Sequence, residues 1–123
     1  MARCALIVDD DVIHAQMLVE FLQEAGWKAC AATGVHEALA RLRGHPSLVV
    51  SDVRMGDGDG FDLLRAIRAS GDAVPVVLMS SFGGRATIDR ALASGAYAYL
   101  RKPFSLDDLL SIAERAHAGS PGG

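Results

Sequence analysis

The chain has 123 residues, of which 50% are hydrophobic and 22% are charged, and its net charge is −3. This length fits one domain with a single core. The acidic balance argues against direct nucleic acid binding by this chain, since such domains normally carry a basic face. No signal-peptide pattern follows Met1, and no apolar run reaches the roughly 18 residues of a membrane span. We therefore expect a cytoplasmic protein without membrane contact.

Short apolar runs alternate with longer amphipathic ones along the chain. In chain order they predict a strand at residues 4–8, a helix at 12–25, a strand at 27–32, a helix at 35–42, a strand at 48–50, a helix at about 61–70, a strand at 76–79, a helix at 87–93, a strand at 96–100 and a last helix. Asp11 and Ser105 suit the N-caps of the first and last helices. Residues 119–123 read as a linker-like tail, which leaves 1–118 as the domain.

Five repeats of strand and helix predict an α/β fold, a doubly wound five-stranded parallel sheet with helices on both faces. The strands around Leu6, Val49 and Val77 are apolar throughout, as expected where helices cover both faces of a sheet. Cys4 and Cys30 lack metal-binding spacing. Reduced, buried thiols are favoured for this pair, with a disulfide between neighbouring strands as the alternative.

Polar side chains stand where the predicted strands end. Asp9 and Asp10 follow the first strand, Asp52 the third, Ser80 the fourth and Lys102 the fifth. Ligands of doubly wound sheets bind beyond these carboxyl ends. Three crowded carboxylates repel one another unless a cation joins them, and Mg²⁺ suits oxygen ligands. Together with a lysine and a hydroxyl, these groups predict a phosphoryl-transfer site with a carboxylate nucleophile.

Four motifs in this order resemble the receiver domain of two-component response regulators, over roughly residues 3 to 117. They are Leu6-Ile-Val-Asp-Asp, Ser51-Asp-Val-Arg-Met with Asp59-Gly60, Val76-Val-Leu-Met-Ser, and Tyr99-Leu-Arg-Lys-Pro-Phe. The second motif is most similar to receivers of transcriptional activators of the nitrogen-regulation type, or of hybrid kinases. The resemblance implies a flavodoxin-like sheet with strand order 2-1-3-4-5.

The resemblance also implies residue roles at the proposed site. Asp52 resembles the phosphoacceptor, and Lys102 the lysine that pairs with the phosphoaspartate. Mg²⁺ (or Mn²⁺) would be bound by Asp52 and Asp10 directly, by Asp9 through water, and by the backbone carbonyl of Arg54. Such a receiver catalyses its own phosphorylation and dephosphorylation without being a metabolic enzyme.

A switch is implied by two further positions. Ser80 resembles the hydroxyl residue that follows the phosphoryl group, and Tyr99 the aromatic residue that turns inward when Ser80 moves. The bond before Pro103 is expected to be cis, since proline tolerates that isomer. Gly56 stands where the family most often has proline, so we expect a looser loop there.

The implied partners are a histidine kinase or phosphotransfer protein, an output domain or downstream protein, and a possible second copy of the chain. Two alternatives remain: a phosphorylation-independent interaction module, and a Mg²⁺-dependent hydrolase of the haloacid dehalogenase type. The hydrolase wants a second acid two residues after the nucleophile, where Arg54 stands. The four histidines, among them His14, have no shared spacing, and most of them are expected to face solvent.

Overall fold

The computed structural model describes residues 3–119. The elements, in chain order, are β1 (Cys4–Val8), α1 (Val12–Glu24), β2 (Lys28–Ala32), α2 (Val35–Arg41), a 3₁₀ turn (Leu42–Gly44), β3 (Leu48–Asp52), β4 (Arg54–Met55), β5 (Gly58–Asp59), α3 (Gly60–Ala69), β6 (Val76–Ser80), α4 (Arg85–Ala93), β7 (Ala98–Arg101) and α5 (Leu106–Ala118). Each predicted helix and strand is therefore present, with small shifts at its ends. The end of the predicted tail, residues 120–123, lies outside the described residues.

The main sheet has five parallel strands in the order β2-β1-β3-β6-β7. This is the predicted order 2-1-3-4-5, because β6 and β7 are the fourth and fifth strands of the main sheet. The intervening β4 and β5 form a separate two-stranded antiparallel hairpin that the sequence did not indicate. In the register of the sheet, Ile7 lies beside Val50, and Val50 beside Val77. The carboxyl ends of β1, β3 and β6 therefore meet at one edge of the sheet.

Two hydrophobic clusters cover the two faces of the sheet. One lies beneath α1 and α5 and contains Ile7 and Leu18, while the other lies beneath α2, α3 and α4 and contains Leu6 and Leu64. Successive residues of β1 point to opposite faces, yet Leu6 and Ile7 are both buried. Apolar residues on both sides of one strand are thus required here, as the sequence analysis predicted.

The predicted helix caps are confirmed. The Asp11 carboxylate accepts a hydrogen bond from the backbone N–H of His14, and the Ser105 hydroxyl accepts one from the backbone N–H of Asp108.

The last predicted strand begins two residues later than expected. The N–H of Ala96 closes the end of α4 by donating to Ala91, so it serves the helix rather than the sheet.

The two thiols are free and partly buried. Cys4 lies opposite Lys28, whereas Cys30 lies opposite Leu6, so the cysteines are offset along neighbouring strands. Burial raises the pKa of the Cys4 thiol, which favours the protonated, unreactive form. The structure therefore agrees with the reduced thiols and not with the disulfide alternative.

Among the helices of residues 3–119, none has the length and apolarity that crossing a membrane requires.

The loop after Asp52 contacts a helix that is distant in sequence. Around Gly56 the chain forms the β4–β5 hairpin, and Asp57 at its tip binds α2. The carboxylate of Asp57 accepts hydrogen bonds from the backbone N–H groups of Val35 (2.8 Å) and His36 (3.2 Å). The looser loop at Gly56 stays a prediction, to which the structure adds a long-range contact that the local flexibility of glycine did not indicate.

Asp57 should make the stability of the fold depend on pH. The N–H groups of Val35 and His36 lower the pKa of its carboxyl below the usual 3.8. A carboxyl with a lowered folded-state pKa stabilises the fold above its unfolded pKa, and this stability is lost as the pH falls through the folded value. We expect Asp57→Ala to lower the Tm at neutral pH. In thermal unfolding, the difference from wild type should shrink below about pH 4, and a constant difference down to about pH 2 would contradict this account.

Candidate functional site

The residues predicted at the strand ends meet at one edge of the sheet. Asp9 and Asp10 follow β1, and Asp52 ends β3. Carboxylate oxygens of these three residues all lie within 4.8 Å of one another. Asp9 is fully buried, Asp52 is largely buried at its side chain, and Asp10 is exposed. The cluster is therefore an acidic pocket that opens to solvent on the side of Asp10.

Asp9 is held by groups of the protein itself. Its Oδ1 accepts a hydrogen bond from the backbone N–H of Asp11 at 2.9 Å, and its Oδ2 lies 2.6 Å from His14 Nδ1. A carboxylate can only accept, so the imidazole donates its N–H in this contact. A charge buried this deeply needs such partners. Both oxygens of Asp9 are thus engaged, and its orientation is fixed.

His14 is an exception to the expectation that most histidines face solvent, since its side chain is three-quarters buried and contacts the acidic pocket. His14 lies five residues after Asp9, a spacing that places it in the first turn of α1. Nothing in this spacing marks a histidine as a site residue. Only the direction in which α1 leaves β1 brings the two side chains together.

Lys102 provides positive charge at the pocket. Its Nζ donates to Asp52 Oδ2 at 2.9 Å and lies 3.6 Å from Asp9 Oδ2. Burial raises the pKa of the Asp52 carboxyl, and the neighbouring Asp9 raises it further, while Lys102 acts in the opposite direction. The net shift is upward. The lysine therefore does not fully offset the burial and crowding of the carboxylates.

The donor set fits a hard divalent cation. Three carboxylates provide oxygen ligands of the kind that Mg²⁺ and Mn²⁺ prefer. The raised pKa of Asp52 indicates that the ionised pocket would gain from added positive charge. Arg54, whose backbone carbonyl was a predicted ligand, lies two residues after Asp52 in β4. Its side chain extends elsewhere, with the guanidinium 4.4 Å from the centre of the Phe82 ring.

The two predicted switch residues are connected through the backbone of Phe82. The Ser80 hydroxyl, which is buried, accepts from the N–H of Phe82 at 3.0 Å. The Tyr99 hydroxyl donates to the carbonyl of Phe82 at 2.7 Å. The ring of Phe82 is exposed and stacks against Arg54. Sequence reasoning did not assign this linking position, because backbone groups leave no signature in residue types.

The remaining predicted position is Pro103. The peptide bond between Lys102 and Pro103 is cis, as the sequence analysis expected. Lys102 itself continues the sheet edge, with its N–H donating to the carbonyl of Ser80 at 2.9 Å. The lysine is therefore anchored by its backbone to β6 while its ammonium group reaches the carboxylates.

Comparisons with curated proteins identify relatives of this chain. The response regulator receiver domain family matches residues 5–114. The chain is 40% identical to the transcriptional regulatory protein ZraR of Salmonella typhimurium, over 92% of this chain and 26% of ZraR. It is 38% identical to the transcriptional regulatory protein PdtaR of Mycobacterium tuberculosis, over 93% of this chain and 56% of PdtaR. The chain thus spans about a quarter of the length of ZraR and just over half that of PdtaR.

Solved structures share the fold. A two-component response regulator from Clostridium difficile superposes with a TM-score of 0.88 at 30% identity, covering 94% of this chain and 96% of that one. NtrX from Brucella abortus gives a TM-score of 0.90 at 34% identity, covering 98% of this chain and 28% of NtrX. Sequence motifs, sheet topology and the acidic pocket at the strand ends agree with these matches. The chain therefore belongs to the receiver domain family of two-component response regulators.

Proposed function

We propose that Asp52 is the phosphoacceptor of this receiver domain. The observation that carries the proposal is the position of its carboxylate at the end of β3, 2.9 Å from Lys102 Nζ and beside Asp9 and Asp10. A carboxylate oxygen of Asp52 attacks phosphorus, the bond from phosphorus to the donor's leaving group breaks, and an acyl phosphate forms. Lys102 offsets negative charge on Asp52 and on the transferred group.

Asp10, Asp52, the Arg54 carbonyl and Asp9 would hold Mg²⁺ or Mn²⁺. When bound, the ion supplies positive charge beside the phosphoryl oxygens. Asp9 would act through water, because its two oxygens already accept hydrogen bonds from Asp11 and His14. Asp10 is the exposed member of the cluster, which suits a direct ligand that must be reached from solvent.

Ser80 and Tyr99 are the proposed switch. In the structure the Ser80 hydroxyl accepts from the N–H of Phe82, and the Tyr99 hydroxyl donates to the carbonyl of Phe82. A phosphoryl group on Asp52 offers the Ser80 hydroxyl a charged acceptor, which makes a stronger hydrogen bond. When Ser80 turns to it, the hydrogen bond from the N–H of Phe82 is lost, and Tyr99 would turn inward. Phosphorylation thereby shifts a two-state equilibrium.

The donor would be a histidine kinase or phosphotransfer protein in the cytoplasm. The readout surface would comprise α4, β7 and α5, and would control an output domain, a downstream protein or pairing with a second copy. The receiver would catalyse both its own phosphorylation and its dephosphorylation, since the nucleophile and the charged groups belong to this chain. None of these roles requires the chain itself to contact nucleic acid or a membrane.

Phosphoryl uptake tests the proposed function directly. We expect the protein to gain one phosphoryl group from acetyl phosphate with Mg²⁺, and none when the metal is chelated, since the crowded carboxylates repel an anionic donor. Intact mass spectrometry gives the readout, and circular dichroism checks that both samples are folded. A folded protein that gains no mass with Mg²⁺ would favour the phosphorylation-independent interaction module instead.

A further inference from the structure

The hairpin after Asp52 is attached to α2 by one side chain. Asp57 Oδ1 accepts from the N–H of Val35 at 2.8 Å, and Oδ2 accepts from the N–H of His36 at 3.2 Å. These are the first two residues of α2, whose own N-cap, Gly34, has no side chain to offer. Asp57 therefore caps this helix from 22 residues away.

Glycines on both sides make room for this contact. A Cβ on Gly34 would lie 2.6 Å from Asp57 Oδ1, so any side chain there would displace the carboxylate. Gly58 has φ +145, and a Cβ on it would lie 3.1 Å from Val35 Cγ2. The contact thus needs the space that a glycine leaves at position 34, while the backbone conformation at Gly58 is one that favours glycine.

The same hairpin connects directly to the acidic pocket. β4 begins at Arg54, two residues after Asp52. The other end of the hairpin is fixed by the N–H of Gly60, which donates to the carbonyl of Val53 at 2.8 Å. The tip contains Gly56 and Gly58, which restrict the backbone little. In the described residues, Asp57 makes both side-chain hydrogen bonds that join the hairpin to α2.

We propose that Asp57 is a positioning residue for phosphoryl transfer. By anchoring the tip of the hairpin to α2, it holds the backbone of Arg54 beside Asp52, where the metal and the phosphoryl group are received. This inference rests on the proposed function. In this account Asp57 restrains the backbone of the hairpin, which Gly56 and Gly58 leave flexible.

Three variants separate the position of Asp57 from its charge. Asp57→Ala removes both contact and charge, and Asp57→Asn removes the charge but keeps one acceptor oxygen. Gly34→Ala keeps the charge but displaces the carboxylate, and φ of Gly34 is −171, which alanine accepts. The matched control is Asp72→Ala. Asp72 also accepts a backbone N–H bond, from Val74 at 2.9 Å, but it precedes β6 at the opposite edge of the sheet.

The first readout is the Mg²⁺ affinity without phosphodonor, measured by following backbone amide NMR signals. Partners that orient metal ligands typically contribute 10–100-fold to affinity, so we expect Asp57→Ala and Gly34→Ala to raise the Kd roughly 10-fold. The Kd of Asp57→Asn for Mg²⁺ should lie between those of these two variants and that of wild type. The Kd of Asp72→Ala should lie within about 2-fold of the wild-type value. The second readout is hydrogen exchange at residues 53–60, which should be faster in both disruptive variants.

Phosphorylation supplies a third readout. At Mg²⁺ concentrations that saturate each variant, uptake from acetyl phosphate should recover most of the wild-type rate, because the groups at Asp52 are intact. Faster exchange at residues 53–60 with an unchanged Mg²⁺ affinity would show a merely structural contact and would overturn the proposal. A folded wild type that neither binds Mg²⁺ nor takes up phosphate would instead refute the proposed function, and this inference with it.

Discussion

Replacing Asp52 by Asn should abolish phosphoryl uptake from acetyl phosphate and Mg²⁺. The amide is nearly the same shape as the carboxylate but is not nucleophilic, and it cannot form the acyl phosphate. Because Asp52 is the carboxylate that Lys102 contacts at 2.9 Å, we expect no other acidic group of the pocket to replace it. Intact mass should show one added phosphoryl group on wild type and none on the variant.

The control for this experiment is Asp107→Asn, which makes the same chemical change at an exposed position in the first turn of α5. It should take up phosphate like wild type. Proteolysis and fragment mass analysis of the labelled protein should place the added group on the peptide that contains Asp52. Labelling of Asp52→Asn at the wild-type level would contradict the assignment of the phosphoacceptor.

Lys102→Met should produce the second large effect, a loss of stability in the absence of metal. The lysine side chain is 20% exposed, and its positive charge offsets the negative charges of Asp52 and Asp9. The side chains of these two residues are 13% and 0% exposed. Removing one partner of a largely buried ion pair leaves the other charge uncompensated, which typically costs 3–5 kcal/mol. Since this pocket opens to solvent, we expect a loss of roughly 3 kcal/mol in the free energy of unfolding, measured by urea denaturation.

The cause of that loss can be tested with a second substitution. Adding Asp52→Asn to Lys102→Met removes a carboxylate that the lysine had compensated, so the double variant should regain much of the lost stability. Asp52→Asn alone should not destabilise the protein, because burial already raises the pKa of this carboxyl and so disfavours its charged form. Mg²⁺ should reduce the difference in the free energy of unfolding between Lys102→Met and wild type. Equal losses in the single and double variants would exclude this electrostatic explanation.

The features that sequence predicts well are those that local patterns encode. The apolar runs of β1, β3 and β6 follow from burial on both faces of the sheet, and Asp11 caps α1 through residues only three positions away. The convergence of Asp9, Asp10 and Asp52 follows from topology, since parallel strands end at one edge. In each of these cases the determining contacts are short in sequence or imposed by the sheet as a whole.

The features that sequence misses depend on packing between distant segments. His14 contacts Asp9 because of the direction of α1, and Asp57 reaches α2 across 22 positions. Phe82 joins Ser80 to Tyr99 through backbone atoms, which no residue type reveals. The prediction of a looser loop at Gly56 likewise took no account of the contact that Asp57 makes with α2. A glycine permits mobility, but whether the loop moves is decided by what its neighbours bind.

The close fit of Gly34 against Asp57 has an evolutionary consequence. A side chain at position 34 and a capping carboxylate at position 57 exclude each other, since the Cβ would lie 2.6 Å from the carboxylate oxygen. Substitution at either position alone would uncap α2 and so destabilise the fold. Once the cap is lost, a substitution at the other position would cause little further loss of stability. Along a lineage, the two positions should therefore vary together: descendants that replace Gly34 are expected to have lost Asp57 and to cap α2 with a residue of their own.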